Sequence, residues 1–171
     1  MTQENKFVRT HPSQRGFTLI EVMIAVVIMT IGILAVMATF ATAISATASA
    51  QEDLIARHKA LDAMESIYTA RNSQQLPFAS INNVANGGVF LSGAQQLLCA
   101  GPDGIVGTAD DVTQSLGNFT RTITFNTVSQ TVNGVVTTNQ NLIAVTIAVS
   151  YTKPGWPART YTVNALISSY H

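Results

Sequence analysis

Glu21 is the only charged side chain in the 34 residues from position 17 to position 50, and it follows closely on the junction Arg15-Gly16-Phe17. A carboxylate inside an apolar helix costs several kcal/mol unless something neutralises it, so its presence points to a role. A newly freed α-amino group would neutralise it. Cleavage between Gly16 and Phe17 places such an amine on Phe17, where a reference pKa of about 8 keeps it mostly cationic at neutral pH. Glu21 of one subunit can then pair with the Phe17 amine of the next, which turns a membrane charge into an assembly device. Gly16 and Phe17 are thus the processing residues, and Phe17 with Glu21 the assembly residues.

The run Arg15-Gly16-Phe17-Thr18-Leu19-Ile20-Glu21-Val22 resembles the prepilin signal of type IV pilins and type II secretion pseudopilins. The resemblance covers residues 10 to 70 and extends to the pilus-modification minor pilins. It implies cleavage after Gly16 and methylation of Phe17 by a prepilin peptidase, and assembly with other pilins or pseudopilins through the N-terminal helix. An ordinary secretory signal fits poorly, because its apolar core is only about 7 to 15 residues long and ends at a small-residue cleavage site. Here the apolar run follows the cut and is retained.

A second group of carboxylates lies in Gly101-Pro102-Asp103-Gly104-Ile105-Val106-Gly107-Thr108-Ala109-Asp110-Asp111. Calcium takes six to eight hard oxygens, and a glycine-bent loop can offer carboxylates at both ends with carbonyls between. The spacing is not that of an EF-hand. It is similar to the calcium loop of major pseudopilins, a match that implies Asp103, Asp110 and Asp111 as candidate calcium ligands. The alternative is a solvated turn in which Asp and Gly serve backbone geometry alone.

The remaining chemistry is sparse. The three histidines are His11, His58 and His171, and no nucleophile elbow, phosphate loop or zinc spacing occurs. An enzyme is therefore not expected. Cys99 is the only cysteine, which excludes an intrachain disulfide, and its uncharged sequence neighbours predict a small buried residue. Nine basic residues balance nine acidic ones, with Lys6, Arg9, Arg15 and Glu4 in the leader, so the remainder is slightly acidic and nucleic-acid binding is not expected. The basic excess of the leader predicts that it stays cytoplasmic and that the C-terminal part crosses the inner membrane into a periplasm.

The elements that must position these residues follow from punctuation and period. No proline occurs between Pro12 and Pro77, and Gly32 is the only glycine between Gly16 and Gly87. One helix over residues 17–73 would be about 85 Å long, nearly three times the hydrocarbon thickness. Its first part, 17–50, is the transmembrane and assembly helix after a cleaved leader at 1–16. Its second part, 51–75, is amphipathic, with Leu54, Leu61, Met64, Ile67 and Tyr68 expected on the packed face and the pairs Asp53 with Arg57 and Lys59 with Asp62 on the other. Residues 76–117 form a variable, loop-rich region. From 118 to 171 the period becomes two: Phe119, Arg121, Ile123 and Phe125, then Ile143, Val145, Ile147, Val149 and Tyr151, then a last strand near 160–168. Asn133-Gly134 predicts a two-residue hairpin turn, and Trp156 a turn aromatic covering the sheet edge.

The expected fold is α+β and type IV pilin-like, a long N-terminal helix packed on an antiparallel sheet of three or four strands. The expected function is that of a minor pilin in type IV pilus assembly or initiation, found at the bacterial inner membrane and then in the filament. The alternative is a minor pseudopilin of type II secretion. A membrane-tethered enzyme lacks the residues, and a binding module for DNA lacks a basic-aromatic cluster.

Overall fold

The structure, a computed structural model, describes residues 16–113, 116–153 and 155–170, with Thr113 and Val132 described by backbone alone. The leader residues Lys6, Arg9 and Arg15, together with His11, Gln114, Ser115, Pro154 and His171, lie outside the described residues. One helix, α1, runs Leu19–Asn72. The strands follow in chain order: β1 (Ala94–Gln96), β2 (Leu98–Cys99), β3 (Val112–Thr113), β4 (Phe119–Val132), β5 (Val135–Tyr151) and β6 (Arg159–Ser168). The chain divides into two units at Thr47 and Ala48.

The first unit is helix whose apolar side chains are exposed throughout, from Phe17 to Ile44. It is long and apolar enough to cross a membrane, with a window of mean hydropathy 2.8. The second unit contains every buried core residue, from Ala56 to Ile167. Four strands make an antiparallel sheet in the order β1-β4-β5-β6, with β2 and β3 as a separate two-stranded ladder. Alternation places Phe119, Ile123 and Phe125 of β4 and Val145, Ile147, Val149 and Tyr151 of β5 on the buried face.

That face meets a stripe of small residues on α1. Ala56, Ala60, Ala63, Ile67 and Ala70 recur at spacings of four, three, four and three and are all buried, with Met64 and Arg71 beside them. Leu54 and Leu61, expected in the core, are instead 54% and 42% exposed. At 100° per residue they sit roughly 140–160° round the helix from the alanine stripe. The alanines share one core with the sheet's Val, Ile and Phe, which supply the bulk at this contact.

Region 76–117 is more ordered than its composition suggests. Leu76, Ile81, Phe90, Leu97 and Ile105 are buried in the common core, and short 3₁₀ turns at Phe78–Ser80 and Val84–Asn86 carry the chain between them. Phe90 packs on Phe125 with ring centroids 4.9 Å apart. Cys99 is exposed rather than buried. It ends β2, after half-buried Leu98.

The Asn133-Gly134 turn forms as expected, with φ of 52° and 80°, the positive pair a type I′ turn needs. Trp156 lies half-exposed in the turn between β5 and β6, with Lys153 Nζ 5.9 Å from its ring centroid. Lys59 meets Asp62 at 3.6 Å, as read from the helix spacing. Asp53 does not pair with Arg57. It accepts a hydrogen bond from the Tyr151 hydroxyl and meets Arg159 at 2.8 Å, joining α1 to the ends of β5 and β6. A bond made across the tertiary structure has taken the carboxylate from the local partner one helical turn away.

Candidate functional site

Two sites were expected, and each lies wholly within one unit. In the first, Thr18 begins the helix: its Oγ1 accepts from the Glu21 backbone N–H at 3.3 Å, and its carbonyl accepts from the same N–H at 3.1 Å. Thr18 and Glu21 thereby stand at the N-cap and third positions, the spacing of a capping box. A carboxylate in the first turn also faces the positive end of the helix dipole. The local fold thus gives Glu21 a reason to be tolerated that the apolar pattern alone did not supply. Phe17 is 83% exposed just before the helix, and Gly16 has open space where a side chain would begin. Phe17, Glu21, Val22, Ala25, Val26 and Met29 line one concave face. Within that face Glu21 is the single ionisable side chain.

In the second site the three aspartates separate. Asp103 and Asp110 come together around Thr108. The Thr108 hydroxyl lies 2.6 Å from Asp110 Oδ1, 3.2 Å from Asp103 Oδ2 and 3.1 Å from the Ile105 carbonyl. It has one hydrogen to give, and the shortest contact receives it. That bond holds the Asp110 carboxyl below its ordinary value. The Asp103 N–H donates to Asp110 Oδ2 at 3.3 Å, and the Ile105 N–H to Asp103 Oδ1 at 2.8 Å. Gly101 lies against this group: a Cβ there would run into the carbonyl and carboxylate of Asp110.

Asp111 is elsewhere. Its Oδ2 accepts from the Gly107 N–H at 2.7 Å and from Arg121 Nη2 at 3.2 Å. The two side chains are only 1% and 3% exposed, so this is a fully desolvated ion pair. Burial pushes the Asp111 carboxyl up, against the pull of the Gly107 N–H and the Arg121 charge, and burial likewise lowers Arg121. Asp111 Oδ1 is buried without a hydrogen-bond partner. A cavity of about 10 Å³, room for a single water, is lined by Asp111, Arg121, Gly107 and Ile123.

The sequence pattern missed this pair. Arg121 sits on the buried face of β4 between Phe119 and Ile123, and an arginine at an apolar position of a period-two strand was the available signal. The loop carbonyl of Gly107 is also held, by the Leu91 N–H at 2.8 Å, and the loop reaches α1 through Val106 N–H to Ser66 Oγ at 3.3 Å.

The donor chemistry can be compared with calcium on these distances. Asp103, Asp110, the Ile105 carbonyl and the Thr108 hydroxyl are hard oxygens collected in one place, the donor type calcium takes, with two carboxylates among them. Asp111 does not join it. Among the described residues no group of three or more His, Cys, Asp and Glu side chains is arranged to hold a metal ion.

Residues 11–37 match the family described as the prokaryotic N-terminal methylation motif. The match spans Gly16, Phe17 and Glu21, and the motif supports recognition as a type IV prepilin or pseudopilin. No curated protein and no solved structure matches the chain.

Proposed function

We propose that this protein is a minor pilin, cleaved after Gly16, methylated on Phe17 and inserted into a type IV pilus or its initiation complex. One observation carries the reading: the methylation motif opens a helix whose first stretch, as far as Ile44, leaves its large apolar side chains exposed and holds one carboxylate, Glu21, about one turn from Gly16 and Phe17. Such a helix is stored in the inner membrane and then buried among the same helices of neighbouring subunits. The Glu21 carboxylate receives the Phe17 amine of an adjacent subunit. That pairing happens in a low-dielectric helix bundle, where an unpaired charge would be costly, so it fixes the axial register of one subunit on the next. The folded unit beginning at Ala48 lies on the periplasmic side and then on the filament surface.

The motif serves pseudopilins equally, and a minor pseudopilin of type II secretion is the second reading. Deletion separates them. Loss of surface pili with secretion intact supports the pilus assignment, and loss of secretion with pili intact overturns it. Recovery of filaments that still carry residues 1–16 would overturn both.

Calcium belongs to the same proposal. Asp103 and Asp110, with the Ile105 carbonyl and the Thr108 hydroxyl, would hold it, and the ion would cross-link a loop that has no disulfide. Asp111 has no part in that set, being committed to Arg121.

A further inference from the structure

The sheet edges near α1 are closed by side chains. Along the outer edge of β6, the Tyr68 hydroxyl donates to the Leu166 carbonyl at 3.1 Å, and Arg71 donates to the carbonyls of Ser168 and Ser169 at 3.1 and 2.8 Å. Along β4, pairing with β1 reaches Thr122. Asn83 then takes over as a one-residue strand, donating to the Ile123 carbonyl at 3.0 Å and accepting from the Phe125 N–H at 3.4 Å. Edges left open invite other chains, and these are blunted.

The far end of the hairpin is different. β6 pairs with β5 only as far as Leu142, and the Ser169 N–H closes the contact on the Asn141 carbonyl. Past a register shift at Thr127 and Val128, residues 128–139 are a ribbon of two strands bonded to one another. A two-stranded ribbon by itself is marginal in water. This one has neither charge nor proline to discourage pairing, and no charged residue occurs anywhere between Arg121 and Lys153. Val135 and Val136 are 62% and 69% exposed at its tip.

The direction of the free groups follows from the turn. In a two-residue hairpin the flanking residues, here Val132 and Val135, form the hydrogen-bonded pair, so Val136 and Thr138 turn their N–H and C=O away from β4. They point to the strand position that β6 would occupy if it continued past Ser168. We propose that this vacated position is filled by the same strand, residues 135–139, of a second copy of this chain, antiparallel about a two-fold axis at Thr137, so that Val136 of each copy meets Thr138 of the other. An open strand edge is satisfied by another strand, and an edge meeting its own copy is self-complementary under such an axis. Self-pairing of a charged edge would set like charges against one another. The uncharged run VVTTNQN removes that obstacle, and its four leading β-branched residues favour extension.

The test uses residues 48–171, which contain the whole buried core. Sedimentation should show the fragment passing from monomer to dimer as concentration rises, and the Val136 and Thr138 amides should become protected from hydrogen exchange over the same range. Val136→Pro removes one outward N–H and no β4 bond, and Val136→Lys sets two cations diagonally across the axis on one face of the paired strands. Both should leave the fragment monomeric with an unchanged melting temperature, while Thr162→Lys on β6 should dimerise like the wild type. A fragment that stays monomeric at every concentration, or a dimer that survives both Val136 variants, overturns the proposal.

Discussion

Replacing Asp111 by alanine should be among the most damaging single changes available outside the apolar core, and the structure sets its size. The Arg121 guanidinium is 3% exposed, meets Asp111 at 3.2 Å and, among the described residues, has one further and marginal hydrogen bond, 3.5 Å to the Leu98 carbonyl. Without Asp111 a full charge remains buried with almost nothing to balance it. Breaking a buried pair from one side costs about 3–5 kcal/mol. For a domain of this size each kcal/mol moves the melting temperature by about 3–5 °C, so Asp111→Ala should melt about 10–20 °C below the wild type. Thermal unfolding of residues 48–171 followed by circular dichroism reads that shift. The double variant Asp111→Leu with Arg121→Met should recover most of it, because removing both charges also removes their desolvation cost. The loss should be the same with calcium and with chelator, since Asp111 stands apart from the Asp103 and Asp110 cluster. An Asp111→Ala fragment melting within about 2 °C of wild type would refute the reasoning, since a lone buried guanidinium should cost several times that shift. So would a double variant no better than the single.

Gly16→Val should leave the leader attached, and mass spectrometry of wild-type mature protein should show N-methyl-Phe at position 17. Glu21→Ala should insert and be cleaved, since removing a charge lowers the insertion cost, yet incorporate poorly into filaments; incorporation at wild-type levels would refute the pairing with Phe17. Millimolar calcium should raise the melting temperature of residues 48–171 relative to chelator, and Asp110→Asn should abolish the difference. In chelator, Asp110 also sets part of the acid response. Its folded-state value is depressed, so its contribution is present above the ordinary carboxylate value of 3.8 and is lost as pH falls through the folded value. Asp111, raised by burial, runs the other way, its contribution lost as pH rises through the folded value. Melting temperatures measured downward from pH 5 should therefore fall less in Asp110→Asn than in wild type.

Residues 15–22 and the apolar run behind them determined the membrane-length helix and the match to the methylation motif, because both are local. Cleavage chemistry reads a few consecutive residues, and a helix without proline needs no distant partner to satisfy its backbone. The strands and the Asn133-Gly134 turn were legible for the same reason, since alternation and positive φ are properties of neighbouring residues. What faced what was not. The helix packs through Ala56, Ala60, Ala63 and Ala70 rather than Leu54 and Leu61, because the sheet supplies the bulk of the shared core and no hydropathy pattern of the helix encodes that. Asp53 left Arg57 for Arg159 and Tyr151, about a hundred residues away. Asp111 left the other aspartates for Arg121, because folding buried both and a desolvated carboxylate goes to the cation that shares its burial.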